Sequence, residues 1–170
     1  MQPDEPVLYD RTHHFPWPLT VVLVGALGAA PAVAALTPGA VKLGEGWALL
    51  VGPAIALVAL GLFWRLRVIV TRHELRLIWG FFGVLQSRFV LDQVDCFRVV
   101  TFRPVRDFGG WGWRLGRNGS RCYNTSGNRG VELRIGGKSY IVGVEDPQIL
   151  AQALESATGR RQAPAGTFSA

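Results

Sequence analysis

The stretch that decides the fold is Arg65–Gly80, "RLRVIVTRHELRLIWG". Basic and apolar residues alternate along it, so that Leu66, Val68 and Val70 share one face and Arg65 and Arg67 the other. That period of two marks half-buried strands, not helix. "RLRVIVT" (65–71) and "HELRLIWG" (73–80) read as two strands joined by a tight turn at Arg72-His73.

Upstream the pattern is different. No Lys, Arg, Asp or Glu occurs between Arg11 and Lys42, nor between Glu45 and Arg65. These gaps hold "LTVVLVGALGAAPAVAALT" (19–37) and "WALLVGPAIALVALGLFW" (47–64), with Trp17, Trp47 and Trp64 at their ends. As helices at ~1.5 Å per residue each would span about 27–28 Å, close to the ~30 Å hydrocarbon core of a bilayer. The expectation is a transmembrane helical hairpin over residues 19–64, preceded by a short segment, 1–18.

A signal peptide is a weaker account of the first run, because Asp4, Glu5 and Asp10 precede it against the single Arg11, and a basic leader is missing. Two buried helices of a water-soluble protein would find too little chain to cover them. Small residues spaced by four (Gly25, Ala29 and Val33; Ala26, Ala30 and Ala34; Gly52 and Ala56) suit close helix approach, within the hairpin or in a homodimer. Neither run contains an ionisable residue, which argues against a transporter or channel.

Charge gives the expected orientation. Arg65, Arg67, Arg72 and Arg76 follow the second run as a membrane-proximal basic set, whereas the short loop carries only Lys42. The positive-inside rule then places both termini in the cytoplasm, as a multi-pass protein of a bacterial inner (plasma) membrane. From Arg65 onward 16 Lys and Arg stand against 8 Asp and Glu, a net charge of +8. Beneath an anionic leaflet such a charge is accounted for by topology and surface attraction, and nucleic acid is not expected as a partner.

Past residue 80 the period of two continues. "LQSRFVL" (85–91) and "VDCFRVVTF" (94–102) are further strands, the latter ended by Pro104. "WGWRL" (111–115) and "RCYNTS" (121–126) flank the hairpin signal Asn118-Gly119, and "GVELRI" and "KSYIVGV" enclose Gly136-Gly137. "EDPQILAQALESATG" reads as a helix, with Asp146 as N-cap, Pro147 as first helical residue and Gly159 as its stop. The fold class is therefore α+β: the hairpin, then a small antiparallel β-barrel or sandwich of about seven or eight strands over 65–158, capped by one C-terminal helix. Residues 159–170 are expected to be disordered.

Three pieces carry a family resemblance: "HELRLIWGFFG" leading into "VLDQVDCFRVV", the segment "GGWGWRLG…YNTSGNRGVELRIGGKSYIVG", and the helix "EDPQILAQAL". With the two apolar runs, the chain resembles small bacterial membrane proteins with two transmembrane helices and a C-terminal pleckstrin-homology-like (PH-like) domain. The resemblance covers about residues 65–158 and implies that fold; it implies no biochemical activity. Arg65, Arg67, Arg72 and Arg76 do not form the Lys-then-Arg-x-Arg arrangement by which eukaryotic members hold inositol phosphates.

No enzyme is expected. The histidines are His13, His14 and His73, and adjacent His13 and His14 point to opposite sides of a strand. Cys96 and Cys122 form no C-x-x-C and have no histidine beside them, and the glycine-rich stretch lacks a phosphate-loop pattern. No metal and no cofactor are expected. The triplets Asn118-Gly119-Ser120 and Asn124-Thr125-Ser126 match the glycosylation sequon, as turn-rich loops do by chance.

What remains is "GGWGWRLGRNGSR" (109–121). Trp111 and Trp113 are expected on one face of a strand, either filling the core or, with Arg114, Arg117 and Arg121, forming a contact patch for lipid headgroups or a protein partner. The sequence thus points to a non-enzymatic integral membrane protein presenting a basic binding domain. The alternative is an accessory subunit of a larger membrane complex, its tail structural only.

Overall fold

The computed structural model describes residues 6–16, 64–116 and 119–164, together with positions 18, 21, 25, 29, 54, 57, 58, 61 and 62. Its strands are β1 (Tyr9–His14), β2 (Arg65–Val70), β3 (Glu74–Trp79), β4 (Leu85–Val90), β5 (Val94–Thr101), β6 (Gly112–Leu115), β7 (Arg121–Asn124), β8 (Arg129–Ile135) and β9 (Lys138–Gly143). A short helix α1 (Pro104–Phe108) and a longer one, α2 (Pro147–Thr158), complete it.

The strands form two sheets, in the orders β1-β2-β3-β4 and β5-β8-β9-β7-β6. The first is an antiparallel meander. Alternation within it follows the residues: Leu66, Val68, Val70, Leu75, Leu77 and Trp79 are buried, while Arg67 faces water. A 3-10 turn at Leu91–Gln93, with Leu91 buried, carries the chain from β4 into the second sheet. There Phe97, Tyr123, Val131, Leu133 and Val142 supply the opposing inner face, and Leu150 and Leu154 of α2 close one flank. Removing these side chains from water is the main stabilising term of so small a domain.

Local stops agree with the sequence. Asp146 occupies the N-cap position of α2, Pro147 its first turn, and Gly159 the left-handed position beyond it, at φ 67°. Asp146 makes no side-chain capping bond, so Pro147 and the αL glycine are what define this helix's ends. In the second sheet Gly130 sits opposite Gly143. A Cβ on Gly130 would collide with the Val142 carbonyl oxygen, and one on Gly143 with the buried side chain of Asn124.

Several expectations are corrected. Among the described residues no helix is long and apolar enough to cross a membrane. The transmembrane hairpin, and with it the integral-membrane function, the accessory membrane subunit and the inner-membrane localisation, is therefore not upheld. Most of 19–37 and 47–64, including most of the small-residue faces, lies outside the described residues. An apolar run measures the tendency to leave water; it does not specify which apolar surroundings receive it.

The β domain also departs from expectation. Nine strands are described instead of seven or eight, and among the described residues no barrel closes: β4 and β6 end their sheets unpaired on one side, as do β1 and β5. The added strand is β1, which pairs with β2 in the register Tyr9↔Val70 to His14↔Arg65. The second sheet is not wholly antiparallel, because β9 lies between β8 and β7 and runs parallel to β7. Hairpin signals join neighbours in sequence and carry no information about such an insertion.

Candidate functional site

The sequence set aside Trp111, Trp113, Arg114, Arg117 and Arg121. Gly109, Gly110 and Gly112 all have positive φ, at 74°, 134° and 103°, so the backbone turns repeatedly and strand alternation begins only at β6. The two tryptophans consequently part. Trp111 stands edge-on to Phe15, with ring centroids 6.3 Å apart, and its indole Nε1 is buried with no hydrogen-bond partner among the described residues. Trp113 does not fill the core: it is 53% exposed. Its ring lies nearly parallel to that of Tyr123, directly opposite on β7, at 6.5 Å and 13°.

Arg114 follows on the other face of β6, and its Nε donates to the Trp111 carbonyl oxygen at 3.0 Å. Arg117 lies outside the described residues. Arg121 shares a face of β7 with Tyr123, and its guanidinium sits 5.9 Å from the centre of the Tyr140 ring. The structure therefore gathers Trp113 and Arg121 around Tyr123 and leaves Trp111 and Arg114 elsewhere.

Arg121 and Tyr123 belong to a cleft of about 380 Å³ where the edge strand β4 passes beside β7, β8 and β9 of the second sheet, lined by Ser87, Arg88, Phe89, Val90, Gln93, Arg121, Tyr123, Ile135 and Tyr140. Phe89 is its centre. The ring contacts Tyr140 at 5.0 Å and Tyr123 at 5.9 Å, both edge-to-face, the arrangement favoured by aromatic quadrupoles. Arg121 brings a positive charge to the lining and Arg88 a second at the margin, from the other face of β4, where it lies opposite Arg76 and donates to Gln86 Oε1; none of the lining residues is a carboxylate, histidine or cysteine. Such a site can take negative charge and apolar groups together.

Arg88, Phe89, Tyr123 and Tyr140 were not singled out by the sequence. In "LQSRFVL" the alternation did place Phe89 with Leu85 and Ser87 on one face. The parallel β7–β9 pairing, which sets Arg121 beside Tyr140, left no signal.

No family model matches this chain, and no curated protein does. The expected PH-like barrel is corrected by the fold itself, in which the described strands form two open sheets.

The other basic set, Arg65, Arg67, Arg72 and Arg76, is not a cluster of solvated cations. Arg67 forms a two-pronged ion pair with Asp10 across β1 and β2, at 2.8 and 2.5 Å. The guanidinium holds the Asp10 carboxyl below the ordinary carboxylate range, chiefly by hydrogen bonding, and the Arg67 value is raised in turn. Arg76 pairs with Glu74. Arg65 binds the Gly80 and Phe81 carbonyl oxygens, while Arg72 is exposed in the β2–β3 turn. On the outer face of the second sheet Glu132 accepts from Arg98 Nε at 2.9 Å and from Ser139 Oγ at 2.5 Å.

Cys122, His13 and Asn124 are buried. Cys122 packs with Phe102 and Ile141, and burial pushes its thiol up to about 12. His13 is buried near Tyr9, whose hydroxyl lies 3.5 Å from Nε2; burial lowers its pKa. Asn124, in the second sequon, is fully buried, its Nδ2 donating to the Gly127 carbonyl and its Oδ1 accepting from the Ser126 amide. It organises a turn and is inaccessible to modification. Among the described residues no three His, Cys, Asp or Glu side chains group as metal ligands.

Proposed function

We propose that the chain is a non-enzymatic binding module whose cleft takes an extended segment of a partner protein bearing both acidic and apolar side chains. The observation that carries this reading is the lining: Arg121 beside Phe89, Tyr123 and Tyr140, with Arg88 on the other face of the same edge strand and no carboxylate among them. Strand β4 adds support. It is the last strand of its sheet, and a sheet edge presents backbone donors and acceptors to which an extended peptide can add as a further strand. Alternate side chains of such a peptide would lie against Phe89 and Tyr123, with carboxylates within reach of the two arginines. The same lining offers no nucleophile–base pair and no acid–base couple, and the Cys122 thiolate is suppressed by burial.

The test uses two synthetic peptides, one alternating Glu and Leu and the other Lys and Leu, titrated into the full-length protein. Tryptophan emission reports the event through Trp113, stacked on Tyr123 of the lining. The acidic peptide is expected to bind and the basic one not. Arg121→Glu and Arg88→Glu should each weaken the acidic peptide by about tenfold or more, with strong dependence on salt. Unchanged affinity in both variants sinks the assignment. Binding of phosphatidylglycerol vesicles that depends on Arg121, with no peptide binding, would reassign the cleft to lipid headgroups.

A further inference from the structure

The bulkiest exposed apolar groups near sheet β1–β4 do not belong to the cleft. They lie on the turn Gly80–Val84 between β3 and β4, where Phe81 is 54% exposed, Phe82 84% and Val84 70%. Exposure on that scale places nearly the whole of one phenyl ring in water. Single exposed apolar residues need no explanation, but three within four positions do.

The turn is held in place. Gly80 and Gly83 have positive φ, at 73° and 61°, which fixes the chain reversal. The Gly80 amide donates to the Arg65 carbonyl at 2.9 Å and the Phe81 amide to the Gly61 carbonyl at 3.1 Å. Arg65 Nε donates to the Gly80 carbonyl at 3.1 Å, its guanidinium stands 5.1 Å from the Phe81 ring centre, and Gln86 donates to the Gly83 carbonyl at 2.8 Å. The rings are therefore offered in an ordered conformation, and little ordering remains to be done on binding.

Charge indicates the kind of surface they meet. The strand ends around the turn carry His14 and Arg65, with Phe15 and Trp64 next to them and no carboxylate; the acidic residues of this sheet, Asp10 and Glu74, lie toward its other end and are paired to Arg67 and Arg76. A projecting apolar tip ringed by aromatic rings and a cation matches a bilayer interface, with acyl chains below and anionic headgroups around. A tip is convex, and a protein would need a matching recess to cover it.

We propose that the Phe81-Phe82 turn is a lipid-contacting loop, seating this end of the domain in the interfacial layer of an anionic phospholipid bilayer. The contact is peripheral and requires no membrane-crossing helix. It is separate from the peptide cleft and stands or falls independently of it.

The experiment is co-sedimentation of the full-length protein with phosphatidylcholine vesicles and with mixed phosphatidylcholine–phosphatidylglycerol vesicles, for the native chain and for a Phe81→Ser, Phe82→Asp double variant. The native chain should partition more strongly onto the mixed vesicles, and the double variant should lose about tenfold or more of that partition. A second measurement does not depend on the double variant folding. Phe82→Cys in a Cys96→Ser background, labelled with an environment-sensitive dye, should brighten and shift to the blue on addition of mixed vesicles. Equal partition by the double variant, or a dye that does not respond, overturns the proposal. So does lipid-free self-association of the native chain that the double variant abolishes, which would give the turn to a second copy.

Discussion

Enlarging Gly143 by one methyl group should destabilise the domain in a way that a second, distant-in-sequence change relieves. A Cβ at position 143 would lie 2.6 Å from Cγ and 2.8 Å from Cβ of Asn124, far inside contact distance. Asn124 is fully buried and cannot simply turn to solvent. Forcing one methyl into a filled site costs roughly 1–3 kcal/mol, a large part of the ~5–15 kcal/mol that holds a domain folded. Asn124→Gly alone removes the bonds to Gly127 and Ser126, at about 0.5–1.5 kcal/mol each, and adds chain entropy worth ~0.5–1 kcal/mol. In the double variant the colliding group is gone, so the combined loss should fall short of the sum of the two by about 1–3 kcal/mol. Urea unfolding followed by circular dichroism, with unchanged m-values, measures all three. Agreement with simple addition to within ~0.5 kcal/mol would refute the steric account of Gly143.

Trp113→Ala should cost only about 1–2 kcal/mol, since the ring is half exposed and loses chiefly its stack on Tyr123; a loss beyond ~3 kcal/mol would place it in the core. Stability should fall as pH drops below about 6.5, the ordinary histidine value. Burial lowers the folded pKa of His13, so the folded chain resists a proton that the unfolded chain accepts, and stability is full above that pH. Of the charged groups around it, Glu145 and Asp146 favour the proton while Arg11 and His14 oppose it. The slope reaches at most ~1.4 kcal/mol per pH unit for this one site. Urea unfolding at pH 7.5 and 5.5 measures it, and His13→Asn should flatten it. A thiol reagent should label half-buried Cys96 in the native protein and leave Cys122 until unfolding, because burial raises the Cys122 pKa to about 12; equal rates would contradict that burial.

Much of the second half of the fold was legible because its rules are local. Period-two alternation located β2, β3, β4 and β5 to within a residue or two, Gly136-Gly137 marked the β8–β9 turn, and Pro147 and Gly159 bounded α2. What was not legible is non-local. β1 is short and mostly polar, "YDRTHH", and becomes a strand only because β2 offers an edge. The β7–β9 pairing depends on where β8 docks, so nothing near Arg121 announces Tyr140 as its neighbour. Pro104, read only as the end of β5, also opens α1. The candidate site suffered likewise: Trp113 and Arg121 were noticed for their chemistry, whereas Phe89 and Arg88 look like ordinary strand residues until two sheets leave a gap between them. The apolar runs misled because hydropathy scores a transfer from water without naming its destination.

Strand β1 also has a temporal side. It leaves the ribosome before its partner β2, which follows only after residues 15–64, a delay on the order of seconds at ~5–20 residues per second. During that interval Tyr9 and His13 have no sheet to enter, and β2, once made, exposes its edge until β1 returns. Loss of β1 would leave a Val- and Ile-rich strand edge open to any neighbouring chain, so this strand acts as a guard against aggregation.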